Sequence, residues 1–348
     1  MSELKWVNIE TSGEQGFKAY RIPGIVVTTK GTIITYYETR LSESDWSTRG
    51  IGVRRSIDGG TTFDIRQMVV YDDEIAINNP VMIASKDGKV HFLWQKDYRQ
   101  LFYQVSYDDG ATFSEPVSIL ECVEAFRQEY NWSLFAVGPG HGIELQNGRL
   151  VVPIWLARGE GNNHFPTQVS TIISDDGGQT WERGEIIYGS ESTEDDFVWP
   201  NETQAVELSD GCVMLNIRHN GKVHYRYTAV SPNGKDQFSK PVADMNLPDP
   251  ICFGSIVKTE DTILFVNCAY NDARGWAPRI NLTVRMSEDD AKTWKYSKKI
   301  AEVAGYADIA ISPDGKYYYC FFEHNKVEEG GYPEALILAV FDKMYLMK

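Results

Sequence analysis

The 348-residue sequence lacks the signatures of several common protein classes. Its five cysteines are widely spaced without a Cys-x-x-Cys pair, so reduced and mostly buried thiols are expected instead of a disulfide framework. The six histidines show no metal-ligand spacing, and no glycine motif for phosphate or dinucleotide binding occurs. No apolar run approaches the roughly 20 residues of a membrane helix. We therefore predict no cofactor, no metal and no membrane segment.

Positive charge is also scarce. The chain has 34 lysine and arginine residues against 49 aspartate and glutamate residues, a formal net charge of −15. Nucleic acids and anionic membranes attract positively charged surfaces, so this balance predicts neither partner. The N-terminal residues lack the apolar region of a signal peptide, which predicts a cytoplasmic protein. A secreted protein that has lost its leader would have the same residues.

An eight-residue pattern, Ser-x-Asp-x-Gly-x-Thr-aromatic, recurs about every 50 to 70 residues. Aspartate accepts hydrogen bonds from turn amides, glycine adopts positive φ, and the aromatic residue can anchor a hairpin. The pattern therefore predicts a structural turn between strands. It is intact at residues 56–63, 106–113 and 174–181, and degenerate at 231–238 and 287–294.

The repeat also predicts the fold class. Its spacing divides the chain into about six units, each with three or four short strand-like runs, and no linker composition interrupts the series. We predict one all-β domain over residues 1–348, a six-bladed β-propeller of four-stranded antiparallel blades with little helix. The last apolar run, residues 335–341, is expected to pair with N-terminal strands and close the ring.

Several motifs resemble those of one enzyme family. The Tyr-Arg-Ile-Pro run at residues 20–23 resembles the arginine signature of the sialidases, in which the repeated turn is known as the Asp-box. Residues 132–142 and 148–153 are similar to the mammalian cytosolic sialidases. The resemblance covers nearly the whole chain. Further matching segments, in chain order, are 201–204, 215–218, 278–282, 304–308 and 322–323.

The resemblance implies a catalytic role for three residues. Tyr306 would be the nucleophile, Glu202 its general base, and Asp45 the acid that protonates the leaving oxygen and then activates water. Glu207 is a rival to Glu202, but its place in an apolar run favours a strand-surface role. To act as an acid near neutral pH, Asp45 needs a pKa raised by burial or by the charge of the substrate.

The resemblance also implies a binding site for a terminal sialic acid on a glycan. Its carboxylate would be held by a clamp of Arg21, Arg218 and Arg279. Four other positions match family contacts: Arg40 beside the clamp, Asn79 facing the N-acetyl group, Trp155 in the pocket for the glycerol chain, and Glu323 as the anchor of Arg21.

The chemistry of a sialoside explains this choice of residues. Its anomeric carbon carries a carboxylate, and planar guanidinium groups suit bidentate binding of that anion. A carboxylate nucleophile would approach this fixed negative charge at close range, whereas a neutral phenol avoids the repulsion. A phenol with a pKa of about 10 is inert alone, so a base must accompany it. The expected outcome is hydrolysis with retention.

Departures from the family pattern leave other functions open. Asn131 replaces an acidic residue, Trp155 and Ala157 stand in place of two pocket tyrosines, and Trp46 follows the predicted acid. A hydrolase for Kdn- or Kdo-type sugar acids is the enzymatic alternative, because the clamp would bind only the carboxylate, which these sugars share. A non-catalytic carbohydrate-binding propeller is the other alternative. The sequence sets neither linkage preference nor oligomeric state.

Overall fold

The computed structural model describes residues 3–271, 278–325 and 333–348. Their regular secondary structure is almost all β-strand, with only two short α-helices, α1 (Glu121–Glu124) and α2 (Lys343–Met347). Short 3₁₀ turns occur at Asp45–Ser47 and Ala125–Gln128. The predicted all-β class is confirmed. Neither of the helices described has the length and apolarity needed to cross a bilayer.

The strands form antiparallel sheets, and most strands pair with their neighbours in sequence. Sheet one contains β2 (Ala19–Val27), β3 (Ile33–Arg40), β4 (Thr48–Ser56) and β5 (Gln67–Tyr71). Sheet two contains β6 (Ile77–Ala84), β7 (Val90–Lys96), β8 (Gln100–Ser106) and β9 (Val117–Ser118). Sheet three contains β10 (Leu134–Val137), β11 (Ile143–Glu144), β12 (Leu150–Ala157), β13 (Thr167–Ser174) and β14 (Glu182–Arg183).

The remaining strands form a four-stranded and a seven-stranded sheet. Sheet four contains β15 (Thr203–Glu207), β16 (Val213–Ile217), β17 (Tyr225–Ser231) and β18 (Val242–Pro248). Sheet five contains β19 (Ser255–Lys258), β20 (Ile263–Cys268), β21 (Ile280–Ser287), the long β22 (Tyr296–Ile311), β23 (Tyr317–His324), β24 (Ala335–Asp342) and β1 (Lys5–Thr11).

Neighbouring sheets pack side by side around a common axis. Strand β2 packs against β6 and β22, β6 packs against β10, and β15 packs against β12 and β19. The N-terminal strand joins the last one, because Lys5 of β1 lies opposite Val340 of β24 and Thr11 opposite Ala335. The predicted pairing of the last apolar run is therefore confirmed. Buried aliphatic and aromatic side chains fill the spaces between adjacent sheets.

A glycine-rich segment, residues 138–142, crosses this axis. Gly140 has φ of 79°, and a Cβ there would lie 2.8 Å from Phe253 and 2.9 Å from Gln204, so a larger residue does not fit. His141 Nδ1 lies 2.8 Å from Asp308 Oδ1, and Asp308 also accepts a hydrogen bond from Ser255 Oγ at 2.6 Å. The segment, which belongs to sheet three, is therefore bonded to β15 of sheet four and β22 of sheet five.

The repeated turns have the predicted hydrogen bonds. In residues 106–113, Ser106 Oγ donates to Asp108 Oδ1 at 2.8 Å and accepts from Gly110 N at 2.9 Å. Thr112 N donates to the same carboxylate at 2.8 Å. Equivalent bonds occur in the turns at 56–63, 174–181 and 287–294, the last with alanine in place of glycine. The pattern therefore stabilises the turns of the hairpins through these hydrogen bonds.

Replacing Ser106 by alanine is expected to destabilise the protein by about 1–3 kcal/mol, because the buried Gly110 amide loses its acceptor. Urea denaturation should reveal the loss as a lower transition midpoint with an unchanged slope. Ser297→Ala, at an exposed position of β22, is a control for loss of a serine hydroxyl. Equal stability of wild type and Ser106→Ala would show that the serine hydroxyl does not stabilise the turn.

Candidate active site

Tyr306, Glu202 and Arg218 meet at the centre of the ring. Tyr306 lies within β22 and Glu202 directly precedes β15, and the Tyr306 hydroxyl donates a hydrogen bond to Glu202 Oε1. Arg218 Nη1 donates to Glu202 Oε2 and, at 2.9 Å, to the Tyr306 hydroxyl. The nucleophile–base contact that the predicted chemistry requires is therefore present in the structure.

The surroundings keep the phenol of Tyr306 protonated. Burial raises its pKa well above the ordinary value, and the Glu202 carboxylate raises it further, while Arg218 and Arg279 oppose the rise. A proton acceptor must therefore accompany any attack by this oxygen. The Glu202 carboxylate already accepts that proton in a hydrogen bond, so it can take the proton as the oxygen reacts.

Three guanidinium groups surround the same tyrosine. Arg21 Cζ lies 5.5 Å and Arg279 Cζ lies 5.1 Å from the centre of the Tyr306 ring, and Arg218 contacts the hydroxyl. Burial alone would lower the pKa of Arg279, but Cys252 and Tyr306 raise it above the ordinary value. The group stays charged. The predicted clamp residues thus converge from β2, from the residue after β16 and from the residue before β21, in a geometry suited to an anion.

Glu323 holds Arg21 and the nucleophile strand together. Its Oε1 accepts from Arg21 Nε at 2.5 Å, and its Oε2 accepts from the backbone N–H of Tyr306 at 3.0 Å. Burial alone would lower the pKa of Arg21, but this carboxylate raises it. The position predicted for Glu323, as the anchor of Arg21, agrees with these contacts.

The substitution Glu323→Gln is expected to raise KM for an anionic substrate about tenfold, because loss of one charge-assisted hydrogen bond of about 1.5 kcal/mol frees the Arg21 side chain. Initial rates across substrate concentrations measure the effect. Glu207→Gln is the matched control, because Glu207 lies at the other end of β15, where it accepts from the backbone N–H of Gln146. An unchanged KM in Glu323→Gln would show that Arg21 needs no anchor.

Arg40 and Asp45 form a second charged group beside the clamp. Arg40 is fully buried, and its Nη1 donates to Asp45 Oδ1 at 2.6 Å while its Nε donates to Glu38 Oε2 at 2.9 Å. Glu38 also accepts from the backbone N–H of Asn79 at 2.8 Å. Arg40 therefore contacts Asp45. Its predicted contact with substrate stays a prediction.

The pKa of Asp45 differs from the expectation. Burial tends to raise it, but Arg40, Arg21 and His164 outweigh burial and lower it below the ordinary value. Burial is the largest single influence, but the summed effect of these neighbours exceeds it. Of the two causes of elevation that we considered, burial alone does not raise the pKa of Asp45. An acid role for Asp45 requires the charge of a bound substrate to raise its pKa.

An aromatic cluster surrounds His164. It contains the predicted pocket residue Trp155 together with Tyr98, His164 and Trp46. His164 lies 5.1 Å from Tyr98 and 5.5 Å from Trp155, measured between ring centres. Burial lowers the pKa of His164, while the Asp45 and Glu202 carboxylates oppose this. The imidazole therefore lies near both carboxylates that the predicted chemistry uses.

Sequence reasoning missed Glu38, Tyr98 and His164. Glu38 carried a usable signal, because it lies two residues before Arg40 and so shares a face of the same strand. Tyr98 and His164 lie in connections of two different sheets, with no local pattern to connect them. Among the described residues, no group of three or more His, Cys, Asp and Glu side chains is arranged to hold a metal ion.

Comparison with known proteins agrees with this geometry. A family model described as a BNR repeat-like domain matches residues 66–320. The chain is 28% identical to a sialidase of Micromonospora viridifaciens, over 89% of this chain and 50% of that protein. It is 29% identical to Sialidase-2 of Rattus norvegicus, over 89% of this chain and 90% of that protein. The chain belongs to the sialidase family of BNR-repeat proteins.

The sialidase fold extends over nearly all of the chain. A Hadza microbial sialidase of known structure superposes with a TM-score of 0.80 at 22% identity, over 98% of this chain and 69% of that one. This likeness identifies the arrangement of sheets as a β-propeller. The chain spans about half the length of the Micromonospora viridifaciens sialidase.

Proposed function

We propose that this sialidase-family chain is an exo-α-sialidase that removes terminal sialic acid from glycoconjugates, without a metal or other cofactor. The hydrogen bond from the Tyr306 hydroxyl to Glu202, inside a ring of three arginines, carries the proposal. A binding protein would need the arginines only. A nucleophile paired with a base is required for catalysis.

In the proposed mechanism, Arg21, Arg218 and Arg279 bind the carboxylate of the sugar and place the anomeric carbon above the Tyr306 oxygen. That oxygen attacks as Glu202 takes its proton, and the bond to the leaving oxygen breaks as Asp45 protonates it. Asp45 then removes a proton from water, which releases the sugar from the tyrosine with net retention. Glu202 returns its proton to the phenolate.

We also infer a six-bladed propeller from the strand pairing. The long β22 pairs with β21 through residues 296–303 and with β23 through residues 304–311. The seven-stranded sheet therefore divides into two four-stranded units that share this strand, and with the other four sheets these make six. Tyr306 lies near the start of the part of β22 that belongs to the second unit, next to the clamp.

Release of 4-methylumbelliferone from its α-N-acetylneuraminic acid glycoside tests the activity directly. We expect turnover by wild type, with the Kdn and Kdo glycosides cleaved more slowly. Incubation with 2,3-difluorosialic acid, followed by digestion and mass spectrometry, should place the sugar on the peptide that contains Tyr306. Turnover of Kdn or Kdo glycosides alone would change the substrate assignment. A folded protein inert to all three glycosides would leave only a binding function.

The pH dependence of kcat and kcat/KM should reveal the pKa of the proposed acid, Asp45. The descending limb of kcat/KM follows the pKa of Asp45 in the free enzyme, which Arg40 and Arg21 lower. A bound carboxylate offsets the positive charge of Arg21, which raises that pKa, so the descending limb of kcat should lie at higher pH. Rate profiles with 3′-sialyllactose measure both limbs. A descending limb of kcat at the same pH as that of kcat/KM, or at a lower pH, would exclude this coupling between clamp and acid.

A further inference from the structure

A fully buried arginine, Arg226 of β17, has no part in the mechanism described so far. A guanidinium group in the protein interior is costly unless its donors find partners, and here they do. Nη1 donates to Asp249 Oδ2 at 3.2 Å and to the carbonyl of Cys252 at 3.1 Å. Nε donates to Asn216 Oδ1 at 2.6 Å. Nη2 donates to the Asn216 carbonyl at 3.1 Å and to the Glu202 carbonyl at 3.5 Å.

These acceptors belong to two different parts of the chain. Glu202 directly precedes β15 and Asn216 lies in β16, so both are at one end of sheet four. Asp249 and Cys252 lie in the connection from β18 of sheet four to β19 of sheet five. The planar fork of one guanidinium group therefore holds this end of sheet four against the connection that leads into sheet five.

On the side of sheet four, Arg226 bonds the backbone next to two residues of the active site. The Glu202 carbonyl also accepts from the backbone N–H of Arg218 at 3.1 Å. Asn216 lies only two residues before Arg218. The contacts of Arg226 therefore fix the backbone from which the side chains of Glu202 and Arg218 project.

On the other side, Arg226 holds the segment that packs against the nucleophile. Phe253 follows Cys252, is fully buried, and has its ring centre 5.6 Å from that of Tyr306. Asp249 Oδ1 accepts from the backbone N–H of Cys252 at 3.0 Å, which closes the turn before Phe253. Because the interior is closely packed, a shift of this connection would shift the aromatic ring on which Tyr306 rests.

Tyr306 and Glu202 belong to different sheets, so their contact depends on how those sheets are held together. Transfer of the phenolic proton requires the two side chains to stay within hydrogen-bond reach. A displacement of about 1 Å can cost about 10²-fold in rate. We propose that Arg226 is a positioning residue that sets the distance between the Tyr306 hydroxyl and the Glu202 carboxylate, by joining sheet four to the connection that contains Phe253. This inference rests on the proposed function.

Arg226→Lys tests the positioning role. Lysine keeps a positive charge beside Asp249, but one ammonium group cannot span the acceptors on both sides. We expect kcat for 3′-sialyllactose to fall about 10²-fold and KM to change less than about threefold. Carboxylate binding should persist, because Arg21 projects from β2 and Arg279 from the residue before β21. Equilibrium binding of the glycal of N-acetylneuraminic acid, an inhibitor that keeps the carboxylate, measures it separately.

Asp249→Asn removes a single contact of the same arginine. The asparagine oxygen still accepts from the backbone N–H of Cys252, but the amide nitrogen in place of Oδ2 cannot accept from Arg226 Nη1. Loss of this charge-assisted hydrogen bond should lower kcat about tenfold, with KM and glycal binding again nearly unchanged.

Arg54→Lys is the matched control, because Arg54 also joins two sheets. Its Nε, in β4 of sheet one, donates at 2.9 Å to Oε1 of Glu10, in β1 of sheet five. Strand β4 is separated from the inner strand β2 by β3, so the pair lies away from the active site. The control should keep wild-type kcat and KM, and thermal unfolding shows whether each variant is folded.

Unchanged kcat in folded Arg226→Lys and Asp249→Asn would overturn the positioning role. A loss of glycal binding as large as the loss of kcat would also overturn it, because Arg226 would then support the clamp and not the pair of nucleophile and base. If Arg226→Lys does not fold, Asp249→Asn decides by the same criteria. A folded wild type inert to 3′-sialyllactose would instead overturn the proposed function itself.

Discussion

Substitution of Tyr306 by phenylalanine is expected to lower kcat for a sialoside by about 10⁴-fold or more, the scale typical for loss of an activated nucleophile. The variant lacks only the hydroxyl oxygen, which in the wild type bonds to Glu202 and Arg218. The ring keeps its place beneath Arg21 and Arg279, so carboxylate binding should persist. Initial rates and equilibrium binding of a sialic acid analogue measure the two effects separately.

Tyr319→Phe is the control for this experiment, because Tyr319 is a buried tyrosine in the pairing of β23 with β22 and β24. It should keep wild-type kcat. Binding that disappears together with turnover in Tyr306→Phe would indicate a collapsed clamp. Turnover that survives within about tenfold would exclude the tyrosine as nucleophile, and a carboxylate would have to take its place.

The ion pairs of the site explain why the arginines can lie so close together. Arg21 is paired with Glu323, Arg40 with Glu38 and Asp45, and Arg218 with Glu202. Breaking a buried pair costs about 3–5 kcal/mol, because the remaining charge has no partner. Two of these carboxylates are also the proposed proton carriers. Binding of a substrate carboxylate therefore changes the charge around both Asp45 and Glu202.

The repeated turn made much of the fold predictable from sequence. Its serine, aspartate and glycine each have a local partner within eight residues, so the pattern alone determines the hairpin. Pairing of the last strand with β1 was also predictable, because the two ends of the chain must meet to close a propeller ring. The long β22 and the extra strand β11 did not follow, because each depends on contacts with a neighbouring sheet.

The site was predictable only where residues matched family motifs. Arg21, Glu202, Arg218 and Tyr306 lie in such motifs, and the structure brings them together. His164 and Tyr98 become neighbours of Trp155 only when separate sheets close into a ring, and no spacing along the chain encodes that contact. The lowered pKa of Asp45 is a property of the same assembly, because Arg21 and His164 come from other strands and connections.

Loss of the acid should have an effect that depends on the leaving group. Asp45→Ala is expected to lower kcat for 3′-sialyllactose by about 10³-fold, within the range for general acid catalysis. The first step with sialyl α-fluoride, measured as a burst of fluoride release, should slow far less, because fluoride departs without a proton. The Arg40 guanidinium loses one partner in this variant but keeps Glu38, so the surrounding structure should remain folded.

Asp45→Asn tests proton transfer by this residue separately from its contact with Arg40. Asparagine can still accept from Arg40 but cannot transfer a proton, so its rates should match those of Asp45→Ala on both substrates. The second step requires Asp45 as a base, and added azide should restore turnover of the fluoride by attacking the sugar without deprotonation. If both variants lose activity equally on sialyllactose and the fluoride, and azide restores neither, Asp45 positions Arg40 and a different group supplies the proton.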